Sequence, residues 1–264
     1  MNRTELLTRA ARSPEERLIL ARVLDRLEVT RNREVPAHTA FLSPAERQSV
    51  EALLRACGQP RHVFLGGYPE SERRLCLFLP DWQPEPEEGE TDGPVAVLRA
   101  AFPRGAELSH RDVLGALMGL GITRENIGDI ILDEGACYVL VLRRALPILL
   151  SQWDSVGRYR VEPAEVSTDK ITVTPPEVKL IRDTVAALRL DAVAAIGFSM
   201  ARGRAADLVE GGKVLVNHSP CDKPDRQLAQ GDVLSCRGLG KCVVKSVGGL
   251  SRKGRIMLEI ERYL

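Results

Sequence analysis

The chain has 264 residues, of which 44% are hydrophobic and 28% are charged. This balance is typical of a folded globular protein with two or three domains. The longest apolar runs, residues 138–142 and 145–150, are too short to span a membrane, and the charged first 12 residues lack the apolar core of a secretory signal. Six cysteines without a Cys-x-x-Cys pair favour a reducing compartment, so we expect a cytoplasmic protein.

The formal net charge of +1 conceals an asymmetry along the chain. Residues 178–264 contain 15 Lys and Arg against 9 Asp and Glu, a balance of +6. The other residues contain 22 against 27, a balance of −5. A basic segment joined to an acidic body suggests that the segment binds a polyanion.

Two stretches divide the sequence. Residues 83–92 (QPEPEEGETD) contain two prolines and five acids but no apolar side chain, which predicts an exposed linker. Residues 167–176 end in Pro175-Pro176, which blocks a continuing helix. We therefore expect three domains, at residues 1–82, 93–167 and 178–264.

The first of these domains is expected to be a helical α/β piece. Ser13 and Ser43 each precede a proline and early acids, as at capped helix starts, which predicts helices at residues 14–28 and 43–57. Short apolar runs at residues 62–65 and 75–79 predict paired strands around a turn at residues 66–69.

The middle domain has strand patterns at residues 95–101, 127–132, 137–142 and 159–166, with helical patterns at 109–120 and 145–153. This β-α-β-β-α-β order predicts a ferredoxin-like (RRM-like) fold, with four strands on one side and two helices on the other. The strand candidates carry few aromatic residues, among them Phe102 and Tyr138, so we do not expect RNA bases to stack on this sheet.

The last domain begins with two short predicted helices. The first covers residues 191–196, and the second runs from a Ser199 cap to about Glu210, before Gly211-Gly212. Strands are then predicted at residues 213–217, 233–236, 241–246 and 255–260. The fold class of the whole chain is α+β.

The second of these helices carries the candidate site. Arg202 and Arg204 lie in its first turn, where exposed cations oppose the helix dipole at a cost of roughly 0.3–1 kcal/mol each. Arg189 and Lys213 flank the same helix pair. A phosphate backbone would account for cations in these positions, and a solvated charged surface is the alternative.

Three segments resemble the S-four RNA-binding domain: RLD at residues 189–191, SMARGRAADLVEGGKVLVN at 199–217 and GDVLSCRGLGK at 231–241. The resemblance implies RNA contact by Arg189, Arg202, Arg204 and Lys213, with Asn217 shaping the following turn. Arg237 and Lys241 lie on the matching glycine-bounded turn. Two positions depart from the pattern: Gly203 lies inside the recognition helix, and His218 stands where the family usually has glycine or another turn residue.

Upstream segments are similar to the YlmH family: GGYPESERR at residues 66–74, LSHRDVLGALMGLGI at 108–122 and IGDI at 127–130. This resemblance implies a ribosome-associated RNA-binding protein, with rRNA or tRNA and the large ribosomal subunit as partners. The family is linked to rescue of stalled large subunits that carry peptidyl-tRNA, and through gene neighbourhood to cell division.

A possible second RNA surface comprises His110 and Arg111, at the exposed first turn of the helix at 109–120, together with Arg124. A purely structural helix start is the alternative, because Ser109 and Asp112 have the spacing of a capping pair.

No nucleotide-binding glycine loop and no Gly-x-Ser-x-Gly nucleophile motif is present. The spacings of His218, Cys221, Cys236 and Cys242 match no standard metal site. We therefore expect a non-enzymatic, monomeric RNA-binding protein with no catalytic residues, metal or cofactor. The alternatives are an RNA-modifying enzyme that uses His110 or Asp112, and a protein-interaction adaptor of the division machinery.

Overall fold

The structure is a computed structural model, which describes residues 2–88, 93–103, 105–171 and 177–263. Residues 89–92 of the expected linker and the pair Pro175-Pro176 lie outside this range. The chain forms two compact units, residues 1–173 and 174–264. Within the described part of the chain, no helix is long and apolar enough to cross a membrane.

The first unit opens with a helical piece and a small sheet. Its elements are α1 (Arg3–Ala10), α2 (Pro14–Arg33), β1 (Ala37–His38), α3 (Pro44–Ala56), β2 (His62–Leu65) and β3 (Leu75–Phe78). The strands form an antiparallel sheet in the order β1-β3-β2. The Ser13 and Ser43 side chains accept hydrogen bonds from the backbone N–H of Glu16 and Glu46, as expected of helix caps. Helix α1 and strand β1 were not predicted.

A second sheet follows in the same unit. Its elements are β4 (Val95–Ala101), α4 (His110–Gly119), β5 (Ile127–Asp133), β6 (Ala136–Leu142), α5 (Leu146–Gln152), β7 (Ser155–Val156), β8 (Tyr159–Arg160) and β9 (Glu162–Val166). The sheet order is β5-β6-β4-β9, and all neighbours are antiparallel. Of the single strand predicted at 159–166, residues 162–166 are confirmed as β9, but residues 159–160 form the separate strand β8. Val161 breaks the predicted strand, because this residue is buried and its N–H donates to the Asp154 carbonyl, so that β8 pairs with β7 instead.

Both faces of strand β6 are buried, which decides how the first unit is layered. On one face, Val139 and Val141 pack in a core with residues of α4 and α5. On the other face, Tyr138 and Leu140 pack with residues of β2 and β3. The sheet face that carries Tyr138 is therefore covered by the N-terminal piece, which leaves no room there for a stacked base.

Asp129 on β5 fastens the loop between β2 and β3 to this second sheet. Its carboxylate accepts hydrogen bonds from the Tyr68 hydroxyl (2.9 Å) and from the backbone N–H of Glu72 (2.7 Å) and Arg73 (3.0 Å). A Cβ on the preceding Gly128 would lie 2.9 Å from the Phe41 ring. Two sequence motifs that lie about 60 residues apart, GGYPESERR and IGDI, thus meet in one contact.

The second unit is a six-stranded sheet with two helices. Its elements are β10 (Val178–Val185), α6 (Leu190–Gly197), α7 (Arg202–Glu210), β11 (Val214–Val216), β12 (Ser219–Pro220), β13 (Val233–Cys236), β14 (Gly240–Leu250) and β15 (Ile256–Tyr263). The sheet order is β10-β15-β14-β13-β11-β12. One core joins both helices to the sheet, with Leu190, Val209 and Ile260 among its fully buried residues. The predicted α+β class is confirmed.

The prediction that Ser199 caps the second helix of this unit is wrong. Ser199 has a left-handed backbone (φ +56°), because the chain turns there after α6, and its hydroxyl accepts a hydrogen bond from Arg262 (3.1 Å). Helix α7 begins at Arg202, and the cap residue Ala201 has no side-chain oxygen to offer. The first backbone N–H groups of α7 therefore have no side-chain acceptor at the cap position.

The contact between Asp129 and the loop at residues 66–74 can be tested by substitution. We expect Asp129→Ala to destabilise the first unit by about 2 kcal/mol, because it leaves three donors without their acceptor. Hydrogen exchange measured by mass spectrometry should accelerate at the amides of Glu72 and Arg73. Asp133→Ala, on the exposed end of the same strand, is the matched control and should leave this loop unchanged. Equal exchange in both variants would contradict the assignment.

Candidate nucleic-acid interface

Arg189 and Arg202 converge on one buried carboxylate. Arg189 donates from Nε to Asp191 Oδ1 (3.1 Å) and from a terminal nitrogen to Oδ2 (3.2 Å). Arg202 donates from Nε (3.1 Å) and a terminal nitrogen (2.9 Å) to the same Oδ2. The side chain of Asp191 is only 7% exposed, whereas those of Arg189 and Arg202 are 37% and 57% exposed. Two of the predicted site residues are therefore brought together, and we call these three residues the Asp191 cluster.

The Asp191 cluster keeps a net positive charge. Burial raises the pKa of Asp191, but the hydrogen bonds and charges of Arg189 and Arg202 outweigh it and hold the pKa below its usual value. The carboxylate is thus ionised at neutral pH and balances only one of the two guanidinium groups. The N–H groups that do not contact Asp191 remain available to an anion at the half-exposed side of the cluster.

The other predicted cations of the second unit are placed differently. Arg204 on α7 and Lys213 before β11 are exposed, and neither forms an ion pair with any residue that the structure describes. Arg237 is exposed in the turn after β13, next to Lys213 across the ladder, because Val214 pairs with Cys236. Lys241 lies over the Tyr263 ring, 4.7 Å from its centroid.

Asn217 has a structural role in the turn between β11 and β12. Asn217 and His218 both have left-handed backbones (φ +50° and +66°), as a two-residue type I′ hairpin turn requires. The Asn217 carboxamide donates to Asp232 (2.7 Å) and accepts from the backbone N–H of Val233 (2.8 Å). These two contacts hold the turn after β11, where the resemblance placed Asn217. His218 adopts the backbone that glycine usually supplies.

A groove of about 770 Å³ runs beside the Asp191 cluster, between α6 and β10. Arg189, Arg202 and Arg255 line it together with apolar residues such as Ile196. Arg255 was not predicted. Its guanidinium donates to the hydroxyl and carbonyl of Thr184 at the end of β10 (3.0 and 2.6 Å). The basic run Arg252-Lys253-Gly254-Arg255 is the sequence signal that could have pointed to this residue.

The possible second surface lies in the first unit, and its three residues are not equivalent. Arg124 donates to the carbonyls of Ile127 (2.6 Å) and Gly128 (3.1 Å), and burial and the charge of Arg73 lower its pKa to about 10. Arg124 therefore holds the start of β5. His110 is near Arg124, and desolvation followed by this positive charge lowers the pKa of His110. Arg111 is exposed and pairs with no carboxylate among the described residues.

Two groups considered for chemistry have structural positions. Ser109 and Asp112 form a reciprocal capping box at the start of α4, and the hydrogen bonds from Ser109 lower the pKa of Asp112. Cys221, Cys236 and Cys242 pack in the core of the second unit, and burial raises the pKa of the Cys242 thiol.

Three family models match the chain. They are "YlmH, N-terminal" over residues 15–80, "Putative RNA-binding domain in YlmH" over residues 90–170 and "S4 domain", the S-four domain, over residues 188–234. The S4 match contains Arg189, Arg202, Arg204, Lys213 and Asn217, whereas Arg237 and Lys241 lie beyond its end. His110, Arg111 and Arg124 lie inside the match to the YlmH RNA-binding domain.

Two similar proteins extend these matches. The "Ribosome-associated protein quality control protein P2" of Bacillus subtilis (strain 168) is 29% identical over 248 residues, which cover 94% of this chain and 95% of that protein. The solved structure "Cell division protein ylmH from Streptococcus pneumoniae" is 25% identical, with a TM-score of 0.51. That comparison covers 61% of this chain and 98% of the pneumococcal chain.

The structural role of Asp191 in the cluster can be tested by substitution. In Asp191→Asn the carboxamide N–H₂ faces guanidinium groups that are also donors. We therefore expect the free energy of unfolding of the second unit to fall by about 1–3 kcal/mol. Hydrogen exchange should accelerate in residues 188–204. Asp207→Asn, an exposed position on α7, removes the same charge and should have no such effect. The structural role of Asp191 is refuted if the two variants exchange alike.

Proposed function

Because the chain belongs to the YlmH family, as its three matched domains show, we propose that it is a non-enzymatic factor that binds structured rRNA or tRNA on the ribosome. We assign RNA binding to the second unit, which contains the S4 domain and carries the basic charge of the chain. The observation that carries this proposal is the Asp191 cluster at the start of α6 and α7.

Three features of the cluster suit an RNA phosphate. Arg189 and Arg202 are held in fixed orientations by a buried carboxylate, so a phosphate meets preoriented donors. Helix α7 starts beside them without a side-chain cap, and its first N–H groups favour an anion. Arg204 adds an exposed charge in the same turn. A phosphate bound here would be held by charge and by backbone hydrogen bonds together.

This mode of binding positions RNA by its backbone and shape, and we expect little direct recognition of bases. Arginine and lysine supply the proposed contacts, and contacts to phosphate carry no sequence information. The sheet of the first unit offers no aromatic platform, since Tyr138 is only 6% exposed. The partner is therefore a folded RNA whose phosphates match the spacing of the cations.

The choice of the ribosome as the proposed partner rests on the similar proteins. The Bacillus subtilis protein is named as ribosome-associated and as part of protein quality control, and it aligns with 94% of this chain. We propose the same role here, with the large ribosomal subunit as the partner, tRNA as a second contact, the cytoplasm as the location and a monomer as the active form.

A second candidate is an adaptor of cell division, which is favoured by the name of the pneumococcal relative as a cell division protein. An adaptor that recognises a protein would keep its partner when Arg202 and Arg204 are removed. A third candidate, an RNA-modifying enzyme built on His110 or Asp112, has less support, because Asp112 is engaged in the helix cap of α4. Such an enzyme would turn over RNA and would lose activity, without losing binding, in His110→Ala.

The ribosome proposal predicts the behaviour of Arg202→Ala/Arg204→Ala in gradient co-sedimentation. We expect the wild-type protein to travel with the large subunit and the double variant to stay at the top. The logarithm of the RNA association constant should fall with salt less steeply in the variant, by about one unit of slope per lost phosphate contact. The reason is that each neutralised phosphate releases condensed counterions.

Arg252→Ala/Lys253→Ala is the matched control, because it removes the same charge from an exposed loop of the same unit. Arg204→Ala alone tests the surface without disturbing the Asp191 cluster. If both double variants sediment like the wild type, the grip lies elsewhere, and Arg111 becomes the residue to change. If the wild type does not travel with ribosomal subunits at all, the proposed partner is wrong.

A further inference from the structure

The first unit contains a cavity of about 880 Å³ that the proposed RNA grip does not use. Helix α2, strand β1 and the segments before β5 and after β6 surround it. Much of its wall is apolar, with Ile19, Val23 and Leu42 among the lining residues. Cavities of 300–1,000 Å³ with an apolar wall and a few polar groups are typical of small-ligand sites.

The charged groups around the cavity differ in whether they have partners. Arg22 pairs with Glu125 (2.9 Å), and Arg143 pairs with Glu165 (2.9 Å). Glu88 accepts hydrogen bonds from the backbone N–H of Gly66 and Gly67. Glu88 also pairs with Arg74 (3.5 Å), so each of these groups has an oppositely charged partner and adds little net charge to the cavity.

Arg26 and Arg144 are different, because neither pairs with a carboxylate in the part of the chain that the structure describes. Arg26 is exposed on α2, and Arg144 donates from Nε to the side-chain oxygen of Asn126 (2.9 Å), which is neutral. Both line the cavity, and both lie near enough to His38 to lower its pKa. Two arginines that form no ion pair among the described residues therefore face one site, whose lining also contains the carboxylates of Glu46 and Glu87.

His38 adds a hydrogen-bond acceptor to this site. Its Nδ1 lies 2.7 Å from the Thr39 carbonyl oxygen, which can only accept, so Nδ1 carries the hydrogen. Burial of the ring, followed by the charges of Arg144 and Arg26, lowers the pKa of His38, so the imidazole is neutral at pH 7. In the neutral ring Nε2 is an acceptor that a ligand donor can use.

We propose that this cavity binds a nucleoside phosphate, either a free nucleotide or the phosphorylated terminal nucleotide of an RNA strand. The phosphate lies between Arg26 and Arg144, which suit it as charge-assisted donors. A ribose hydroxyl or a base N–H donates to His38 Nε2. The base packs against the apolar wall that includes the partly exposed Ile19 and Val29.

The experiment is isothermal titration of the full-length chain with AMP, GMP, CMP and UMP in turn. At least one of them should bind with a Kd below about 1 mM. Arg26→Gln/Arg144→Gln should raise that Kd about tenfold or more, since both phosphate contacts are lost. Arg31→Gln/Arg33→Gln, two exposed positions at the end of the same helix, is the control and should bind like the wild type.

A second variant separates the roles of the groups. His38→Phe fills a similar space without an acceptor, so it should weaken the nucleotide but leave inorganic phosphate binding unchanged. Competition by short RNAs with and without a terminal phosphate, in the Arg202→Ala/Arg204→Ala background, decides between the two sources of the ligand. Either source supports the proposal. The nucleotide proposal is overturned if none of the four nucleotides binds, or if Arg26→Gln/Arg144→Gln binds them as tightly as the wild type. Neither result bears on the proposed RNA binding by the second unit.

Discussion

A buried carboxylate must be compensated by donors, and in the second unit this requirement determines where the cations lie. Asp191 receives four hydrogen bonds from Arg189 and Arg202 and a fifth from the backbone N–H of Ala192. An isolated carboxylate in this position would cost several kcal/mol or take up a proton. The two arginines prevent both, and in doing so they fix the start of α7 beside the start of α6. The proposed binding surface is thus a consequence of how the core compensates one charge.

The first unit uses a carboxylate in a comparable way, with a different result. Asp129 collects donors from the loop at residues 66–74 and so attaches the small sheet to the larger one. The central strand β6 of the larger sheet is therefore buried on both faces and offers no surface to a ligand. The cavity beside α2 and the first turn of α4 are two open surfaces among the described residues of this unit. The role of the unit follows from the surfaces that this packing leaves free.

Local chemistry could be predicted from the sequence, and distant pairing could not. The caps at Ser13, Ser43 and Ser109 depend on neighbours three residues away, and all three are correct. Strand β10 was missed because its side chains are mostly exposed, so its pattern carries little alternation, and its partner β15 lies at the other end of the unit. Ser199 failed as a cap because a left-handed turn after α6 moves it away from α7.

The candidate site shows the same limit. Arg189 and Arg202 were identified by type and position, but the contact that unites them passes through Asp191, eleven residues before Arg202. Arg255 was missed because its place in the groove depends on the β10–β15 pairing.

The resulting cations fall into two groups with different physical roles. Arg189 and Arg202 are held by Asp191, so a ligand that binds them restricts little further side-chain freedom. Arg204, Lys213 and Arg237 are exposed and without ion pairs among the described residues, so each loses side-chain entropy when it meets a phosphate. In the proposed RNA complex, Arg189 and Arg202 define the register of the RNA backbone, while the exposed cations adjust to its path. The proposed mode of binding would recognise one fixed phosphate and tolerate variation in the RNA around it.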